Sequence, residues 1–529
     1  MRGPVVGGTS VLLRAVPAGA GHRRPPLGLL LAAILLSSSI VLFLAASSLG
    51  EREPARLAGG IRPLNAGALD ALDIRAHNSP SVVRNPTNGA NLVTVNRVDT
   101  PQFSCGLHVS FDAGATWSSG QLAQPQGENP KCYAPDAAFG PDGTLYVSFV
   151  TLEGLGNVPN AGWLSTSADG GRSFSVPVRS LGPNAFQMRL LADPAKPGRL
   201  YLSWVQATET GTLQFPSANN PVNVARSDDG GATWEPPVRV SASERPRVVA
   251  PSIAAGPRGQ LYVLYLDLGD DALDYHGGHG GRGGPPYDGR WQLVLARSLD
   301  GGRRWTESVV EGRLVPTQRF VVFTPPFPSL AVDQDGGALY AGFADGREGD
   351  ADVRVWVSSD DGSTWSAGRR VNDTRRRDGT SQYLPALAVA PNGRLDVVYL
   401  DRRADPDDIL TEVSLQSSSN GGRSFGARLR LSDTAFDSRI GSGSERELPD
   451  LGSRLGLVST DAGALAVWPD TRSGTQASNK TDLARAVVAY PAAPALSTLR
   501  VPLRVSGLAS GLTAVLLLVF LVRRRGAHP

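Results

Sequence analysis

The chain has 529 residues, among them 61 glycines and 40 prolines, and its formal net charge at pH 7 is +3. So small a charge on so long a chain argues against a nucleic-acid partner. The turn-rich and moderately hydrophobic composition is typical of an all-β array of short strands, and the length exceeds that of one ordinary compact domain.

Both ends of the chain are apolar. Residues 27–49 are long enough to cross a bilayer, and the arginines within residues 1–26 predict that this tail is cytoplasmic. A signal peptide cleaved near Leu44-Ala45-Ala46 is the alternative. A second apolar run, residues 505–522, precedes the basic tail 523–529, which is predicted to be cytoplasmic as well. Two membrane spans would place everything between them on the extracytoplasmic side of the cell membrane.

Between these runs the chain repeats one short phrase, Ser-x-Asp-x-Gly-x-Thr-Trp or a close variant, at intervals of 57 to 71 residues. This period predicts a repeat architecture. The glycine of each copy favours a turn, and the acidic residue can accept hydrogen bonds from the N–H groups of that turn. We therefore interpret the acidic position as structural. It is occupied by Asp112, Asp169, Asp229, Asp300, Asp360 and, in the last copy, Asn420.

These copies resemble the Asp-box, or BNR repeat, of the sialidase-like superfamily. The resemblance covers residues 78–490 and implies a β-propeller. It also implies that each box lies in the turn between the third and fourth strands of a blade, away from the ligand-binding face.

The repeat pattern predicts seven blades, with six as the alternative. The units begin near Pro80, Pro135, Met188, Pro251, Pro328, Pro385 and Leu455. The last unit lacks a box and an outer strand. Residues 50–77 are a linker or a ring-closing strand, the missing strand coming either from residues 54–75 or from residues 495–503 at the end of the linker 491–504. Closure of the ring would remove exposed strand edges.

The chain has two cysteines, Cys105 and Cys132. Outside the cytoplasm such a pair is typical of a disulfide, and this one would join the first two blades.

A second repeated phrase, aromatic-x-Asp-x-Arg, falls in loops between second and third strands, on the face opposite the boxes. It contributes Arg347, Arg403 and Arg472, and Arg454 can also reach the central opening. Converging guanidinium groups form a good carboxylate receptor. The alternative is that each arginine pairs with its neighbouring aspartate and stiffens the loop.

The resemblance implies that a working sialidase has a Tyr–Glu nucleophile pair, an Asp acid/base and an arginine in a Phe/Tyr-Arg-Ile-Pro signature. That signature is absent. Asp99, Tyr383 and Glu445 are the candidates for the catalytic roles, without support from a motif.

The insertion 269–290 carries His276 and His279 close to aspartates, which could hold a divalent metal; a flexible glycine-rich loop is the other interpretation. No cofactor is predicted.

Three functions follow from these patterns. The first is a membrane-tethered extracytoplasmic propeller that binds a glycan, peptide or protein ligand. The second is an exo-α-sialidase, a retaining glycoside hydrolase. The third is an assembly factor for a membrane complex.

Overall fold

The computed structural model of the chain describes residues 27–48, 55–65, 74–127, 131–208, 217–271, 287–317, 326–444, 449–491 and 500–525. Residues 55–490 form one compact unit, and the two end segments form another.

The end segments contain two helices, α1 (Leu27–Ser48) and α2 (Arg500–Arg525), which lie against each other. Three consecutive serines lie within α1, and arginines lie at both ends of α2. Among the residues that the structure describes, no helix combines the length and the apolar character that a membrane crossing needs. The prediction of two membrane spans, at residues 27–49 and 505–522, is therefore not supported.

The compact unit is all-β. Two short strands, β1 (Arg56–Leu57) and β2 (Arg62–Pro63), precede the repeats. The described strands then form seven antiparallel sheets, the blades. Strands that are consecutive in the chain are neighbours in the sheet, apart from one short added strand in blade 6.

The first three blades have four strands each. Blade 1 comprises β3 (His77–Arg84), β4 (Leu92–Val98), β5 (Ser104–Ser110) and β6 (Ser118–Gln121); blade 2 comprises β7 (Cys132–Phe139), β8 (Leu145–Glu153), β9 (Val158–Ser167) and β10 (Val178–Leu181); blade 3 comprises β11 (Ala185–Ala192), β12 (Leu200–Gln206), β13 (Val222–Ser227) and β14 (Val238–Arg239).

The last four blades complete the ring. Blade 4 comprises β15 (Val248–Ala255), β16 (Leu261–Asp267), β17 (Trp291–Ser298) and β18 (Thr306–Leu314); blade 5 comprises β19 (Ser329–Val332), β20 (Leu339–Asp345), β21 (Asp352–Ser358) and β22 (Arg369–Arg370); blade 6 comprises β23 (Gln382–Val389), β24 (Leu395–Asp401), β25 (Leu410–Ser418), β26 (Leu429–Arg430) and β27 (Phe436–Asp437); blade 7 comprises β28 (Gly456–Ser459), β29 (Gly463–Asp470) and β30 (Asp482–Ala489). The prediction of seven blades is confirmed.

The second strands lie in the core. In β16 every residue is buried, because both of its faces are covered, and the strand accordingly reads as an almost continuous apolar run. Side chains of neighbouring blades meet in shared apolar clusters, such as the one that joins Leu261, Tyr201 and Leu339. The core is thus a ring of packed sheets around a central channel.

The N-terminal strands close this ring. Arg56 of β1 pairs with Ala489 of β30, so β1 supplies the outer strand that blade 7 otherwise lacks. Strand β2 adds a second pairing to β30. Of the two predicted sources of this strand, the structure uses the segment that precedes the repeats.

The two cysteines form the predicted disulfide. Cys105 of β5 and Cys132 of β7 are bonded, with their Cα atoms 5.5 Å apart. The bond joins blade 1 to blade 2.

The inner strands share a local distortion. Each of β3, β7, β11, β15 and β23 contains a β-bulge at which the register with the second strand shifts. At the bulges of β3 and β7, Ser79 and Ala134 both have φ of 49° and precede a proline. A bulge re-aims the next side chains, which here belong to the strands that line the channel.

Candidate ligand site at the channel mouth

The Asp-boxes occupy the turns between third and fourth strands, as the resemblance implied. In blade 3, Asp229 accepts hydrogen bonds from the backbone N–H of Thr233 (2.9 Å) and from the hydroxyl of Ser227 (2.8 Å). Gly230 and Gly231 have φ of +74° and +88°, a region that residues with a Cβ avoid. Hydrogen bonds from Thr233, the side-chain one first, lower the pKa of Asp229 to about 2. The backbone N–H four residues later donates the equivalent bond to the side chain at the same position of every other box, in Asp112, Asp169, Asp300, Asp360 and Asn420.

The aromatic-x-Asp-x-Arg loops lie at the other ends of the blades. Asp345, Asp401 and Asp470 are the last residues of β20, β24 and β29. Each accepts a bond from Nε of the arginine two residues later, over 2.6 Å, 2.7 Å and 2.9 Å respectively.

Each of these arginines also contacts a second carboxylate. The partners of Arg347, Arg403 and Arg472 are, in that order, Glu311, Asp373 and Asp433. The pairing of each arginine with the aspartate two residues earlier is what the loop-stiffening interpretation predicts. A role of these three residues in ligand binding stays a prediction.

A cavity of about 160 Å³ opens along the central channel. Its walls come from the inner strands and include Ser81, Arg189, Ser329 and Arg454, with Phe327 as an aromatic wall. Of the four predicted arginines, Arg454 lines this cavity. The guanidinium carbon of Arg189 lies 5.5 Å from the centre of the Phe327 ring.

One carboxylate, that of Asp136, forms ion pairs with both arginines of this cavity. Asp136 Oδ2 lies 3.2 Å from Arg189 Nε, and Asp136 Oδ1 lies 4.0 Å from Arg454 Nη2. Asp136 also accepts bonds from the Ser81 hydroxyl (2.7 Å) and the Leu190 N–H (3.0 Å). Burial raises the pKa of Asp136, but the two guanidinium groups and these hydrogen bonds outweigh it, and the net shift is downward.

Among the described residues, these two arginines therefore share a single carboxylate partner. Burial, together with the charge of Arg189, lowers the pKa of Arg454 to about 9. Nη1 of Arg189 and Nε of Arg454 are buried and have no hydrogen-bond partner among the described residues. Nη2 of Arg454 donates to the carbonyl of Pro135. Buried donors without a partner are costly unless a bound group satisfies them.

A second cluster joins blades 1 and 2 to the segment before blade 7. Arg97 contacts Asp99 (Nε to Oδ1, 2.6 Å) and Asp450, and its Nη1 donates to the Tyr133 hydroxyl (2.9 Å). Asn78 donates to Asp99 Oδ2 (2.9 Å). Burial and the charge of Asp450 raise the pKa of Asp99 against the opposing charge of Arg97. A raised pKa suits the predicted acid role of Asp99, which stays a prediction.

The other catalytic candidates do not belong to the cluster around Asp99. Tyr383 lies on β23 in blade 6, its hydroxyl 3.2 Å from Thr411 Oγ1 and its ring 5.0 Å from the Arg402 guanidinium carbon. Glu445 lies outside the described residues, and so do His276 and His279. Within the described residues no group of His, Cys, Asp and Glu side chains is suited to hold a metal ion.

Comparison with known proteins gives the following. No family model and no curated protein matches the chain. The chain is similar in structure to a polysaccharide lyase of family PL25, an ulvan lyase (11% identity, 78% of this chain and 94% of that one, TM-score 0.46). It is also similar to the Hadza microbial sialidase Hz136, with 14% identity, coverage of 76% of this chain and 74% of that one, and a TM-score of 0.42. A third similar structure is a Penicillium chrysogenum α-L-arabinanase, with 17% identity, coverage of 69% of this chain and 95% of that one, and a TM-score of 0.41. Sequence identities and TM-scores this low give no information about the activity of this chain.

The fold is instead identified by the seven sheets and by the six boxes in their turns. The described residues form a seven-bladed β-propeller, with the six boxes in turns between third and fourth strands.

The sequence reasoning missed Asp136 and Arg189. A usable signal was present, because both residues directly follow the predicted unit starts Pro135 and Met188. Alignment of the seven starts shows serine at the same position in blades 1, 4 and 5, and charged residues in blades 2 and 3 only. The departure from the repeat marks the asymmetric side of the channel.

Proposed function

We propose that the propeller binds an anionic ligand that carries a carboxylate, of the acidic-glycan class, in the central cavity. The observation that carries the proposal is that Arg189 and Arg454 line one cavity and have Asp136 as the carboxylate they share. A ligand carboxylate would supply the missing negative charge and accept from the unpartnered N–H groups. Arginine suits this task because its planar fork of donors matches a carboxylate.

The other walls suit a sugar ring. Ser329 Oγ accepts the N–H of Leu387 (2.9 Å), so its own proton is available to a ligand hydroxyl. Phe327 offers an apolar surface. A cavity of about 160 Å³ admits the carboxylate end of a sugar, while the rest of a glycan would lie towards the channel opening.

The test is calorimetric titration of the full-length chain with glucuronate, with N-acetylneuraminate and with neutral glucose. We expect binding of one or both acids and none of glucose. Arg189→Met and Arg454→Lys should weaken binding by about tenfold or more, equivalent to about 1.4 kcal/mol. Lysine keeps a charge beside Asp136, which limits the cost of breaking a buried pair.

Arg84→Ala is the matched control, because Arg84 lies at the exposed far end of β3 and contacts Gly89. It should bind as the wild type does. Equal binding of the acids by wild type and by a folded Arg189→Met variant would refute the proposal.

An exo-α-sialidase is the second candidate. The observation that favours it is the buried Asp99 with a raised pKa, close to Arg97 and Tyr133. Release of 4-methylumbelliferone from its sialoside, lost in Asp99→Asn, would support catalysis. Absence of release by the folded wild type would exclude this substrate and leave the binding function.

We also propose that the propeller resides outside the cytoplasm. The disulfide supports this location, since such bonds persist in oxidising compartments. Maleimide labelling of the protein in freshly lysed cells should fail before reduction and modify two thiols after it. Immediate labelling would argue against the proposal.

A further inference from the structure

The ring-closing strand places two arginines opposite each other. Arg62 of β2 and Arg485 of β30 are register partners in an antiparallel pair. Like charges directly opposite on neighbouring strands destabilise a sheet unless something neutralises them. Among the described residues the Arg62 guanidinium forms no ion pair or hydrogen bond.

Arg485 is the buried member of the pair. Arg485 is 6% exposed, and its Nη2 donates a hydrogen bond to the carbonyl of Ala115 (2.9 Å). Its Nε is buried and has no hydrogen-bond partner in the described part of the chain. Asp112 is a nearby acid, but its carboxylate is occupied by Ser110 and Thr116 of its own turn. Burial and the charge of Arg62 lower the pKa of Arg485.

Both arginines line a cavity of about 340 Å³. The remaining wall includes Asn65, Thr116, Trp117 and Ser119, so it offers polar groups and one indole. Trp117 is the closing aromatic of the blade 1 Asp-box, which places this cavity on the box side of the blades, away from Arg189 and Arg454.

We infer that this cavity is an oxyanion site, for a sulfate, phosphate or carboxylate group bridging Arg62 and Arg485. The oxyanion would remove the like-charge repulsion and accept from the unpartnered Nε of Arg485. The indole of Trp117 provides a face for a sugar ring if the oxyanion belongs to a saccharide. The site is independent of the proposed channel function.

A bridging oxyanion would hold β2 against β30. The backbone bonds that flank the pair run from Ala58 N to Val487 O and from Leu64 N to Leu483 O, both 2.8 Å. Opening of this segment exposes those amides, so ligand binding should appear as protection against hydrogen exchange.

The experiment is hydrogen-exchange mass spectrometry of the full-length chain in sodium sulfate and in sodium chloride at equal ionic strength. Exchange in a peptide covering 56–65 should slow by about threefold at a sulfate concentration twice the Kd. A peptide containing β26, the outer strand of blade 6, should not respond, which separates binding from the general stabilising effect of sulfate.

Variants make the test specific. Arg62→Ala and Arg485→Met should abolish the response of the 56–65 peptide, whereas Arg56→Ala, in the same segment but outside the cavity, should retain it. Arg62→Glu should protect the segment without sulfate, because an ion pair with Arg485 replaces the bridge. The inference is overturned if sulfate slows both peptides alike, or if wild type and Arg62→Ala respond equally.

Glucose 6-sulfate tests whether the bound oxyanion is a free inorganic ion or part of a saccharide. A response at lower concentration than that of inorganic sulfate would assign the site to an anionic saccharide. Equal potency would assign it to the free oxyanion.

Discussion

The hydrogen bonds of His108 in blade 1 select one tautomer of its neutral ring. Its Nε2 lies 2.9 Å from Asn96 Oδ1 and its Nδ1 lies 2.8 Å from Ser119 Oγ. The Asn96 amide is oriented by a bond from its Nδ2 to the Arg97 carbonyl (2.8 Å), so Nε2 of His108 carries the proton. Burial, with the nearby His77 adding to it, lowers the pKa of His108 to about 3.

This shift predicts a loss of stability in mild acid. Below pH 6.5 the unfolded chain binds a proton at His108 that the folded chain does not, until the pH falls to about 3. The free energy of unfolding should therefore decrease with falling pH in this window, by up to about 1.4 kcal/mol per pH unit from this group. Urea denaturation of wild type and His108→Asn between pH 7.5 and 4 measures it.

At pH 7.5 both states of the wild type are neutral at His108, so the difference between the two proteins there is the packing cost alone. As the pH falls, the variant should lose less stability than the wild type. Parallel stability curves for the two proteins would contradict the assignment.

At the scale of the element, the Asp-box is a self-contained turn. Blade 6 shows which part of it is essential, because Asn420 replaces the acid there. Asn420 Oδ1 accepts the Ser424 N–H (3.0 Å), and its Nδ2 donates to the Ser424 hydroxyl (2.8 Å). An acceptor for the turn N–H is therefore needed, whereas a negative charge is not.

We predict that Asp229→Asn is tolerated and Asp229→Ala is not. The amide keeps the acceptor for the Thr233 N–H, whereas alanine leaves that turn without it. Alanine should lower Tm by roughly 1–2 °C and asparagine by clearly less, as measured by circular dichroism. An equal effect of both substitutions would show that charge matters after all.

The same carboxylate gives a pH signature. Its pKa of about 2 in the fold is below the ordinary value of 3.8, so its contribution to stability is present above pH 3.8 and is lost as the pH falls through 2. The difference in stability between wild type and Asp229→Ala should shrink in that window.

At the scale of the whole molecule, a short N-terminal segment decides whether the ring is closed. Strands β1 and β2 cover the edge of β30, and Leu64 beside them is buried against Leu483 and Val82. An uncovered strand edge is a template for pairing with other chains.

Deletion of residues 56–64 from the full-length chain should therefore lower Tm and promote aggregation. Loss of the buried Leu64 alone accounts for about 1.5–3 kcal/mol. Differential scanning calorimetry and size-exclusion chromatography measure the two effects. Deletion of residues 2–10, a segment of equal length, is the control; an unchanged monomer after removal of 56–64 would argue that closure is dispensable.

Much of the fold was predictable from the sequence, because the strand pattern of one blade occurs seven times and the box occurs in six of those units. The number of blades follows from that period, the position of the box from the resemblance to the Asp-box repeat, and the disulfide from the presence of two cysteines in the chain. The closing strands were predictable only as one of two segments, since strands of two residues carry no periodicity. The Arg189–Asp136–Arg454 cluster depends on contacts between blades, which a single unit does not encode.

Closure by the first strand also sets an order of events during synthesis. Asn65 accepts the backbone N–H of Leu483 (2.7 Å), a residue 418 positions further along the chain. At about 5–20 residues per second, the ribosome needs roughly 20–80 s to make the intervening chain. Throughout that interval the first segment has no partner strand, so blades 1 to 6 assemble as an open arc, and the ring becomes complete only when the last blade has emerged.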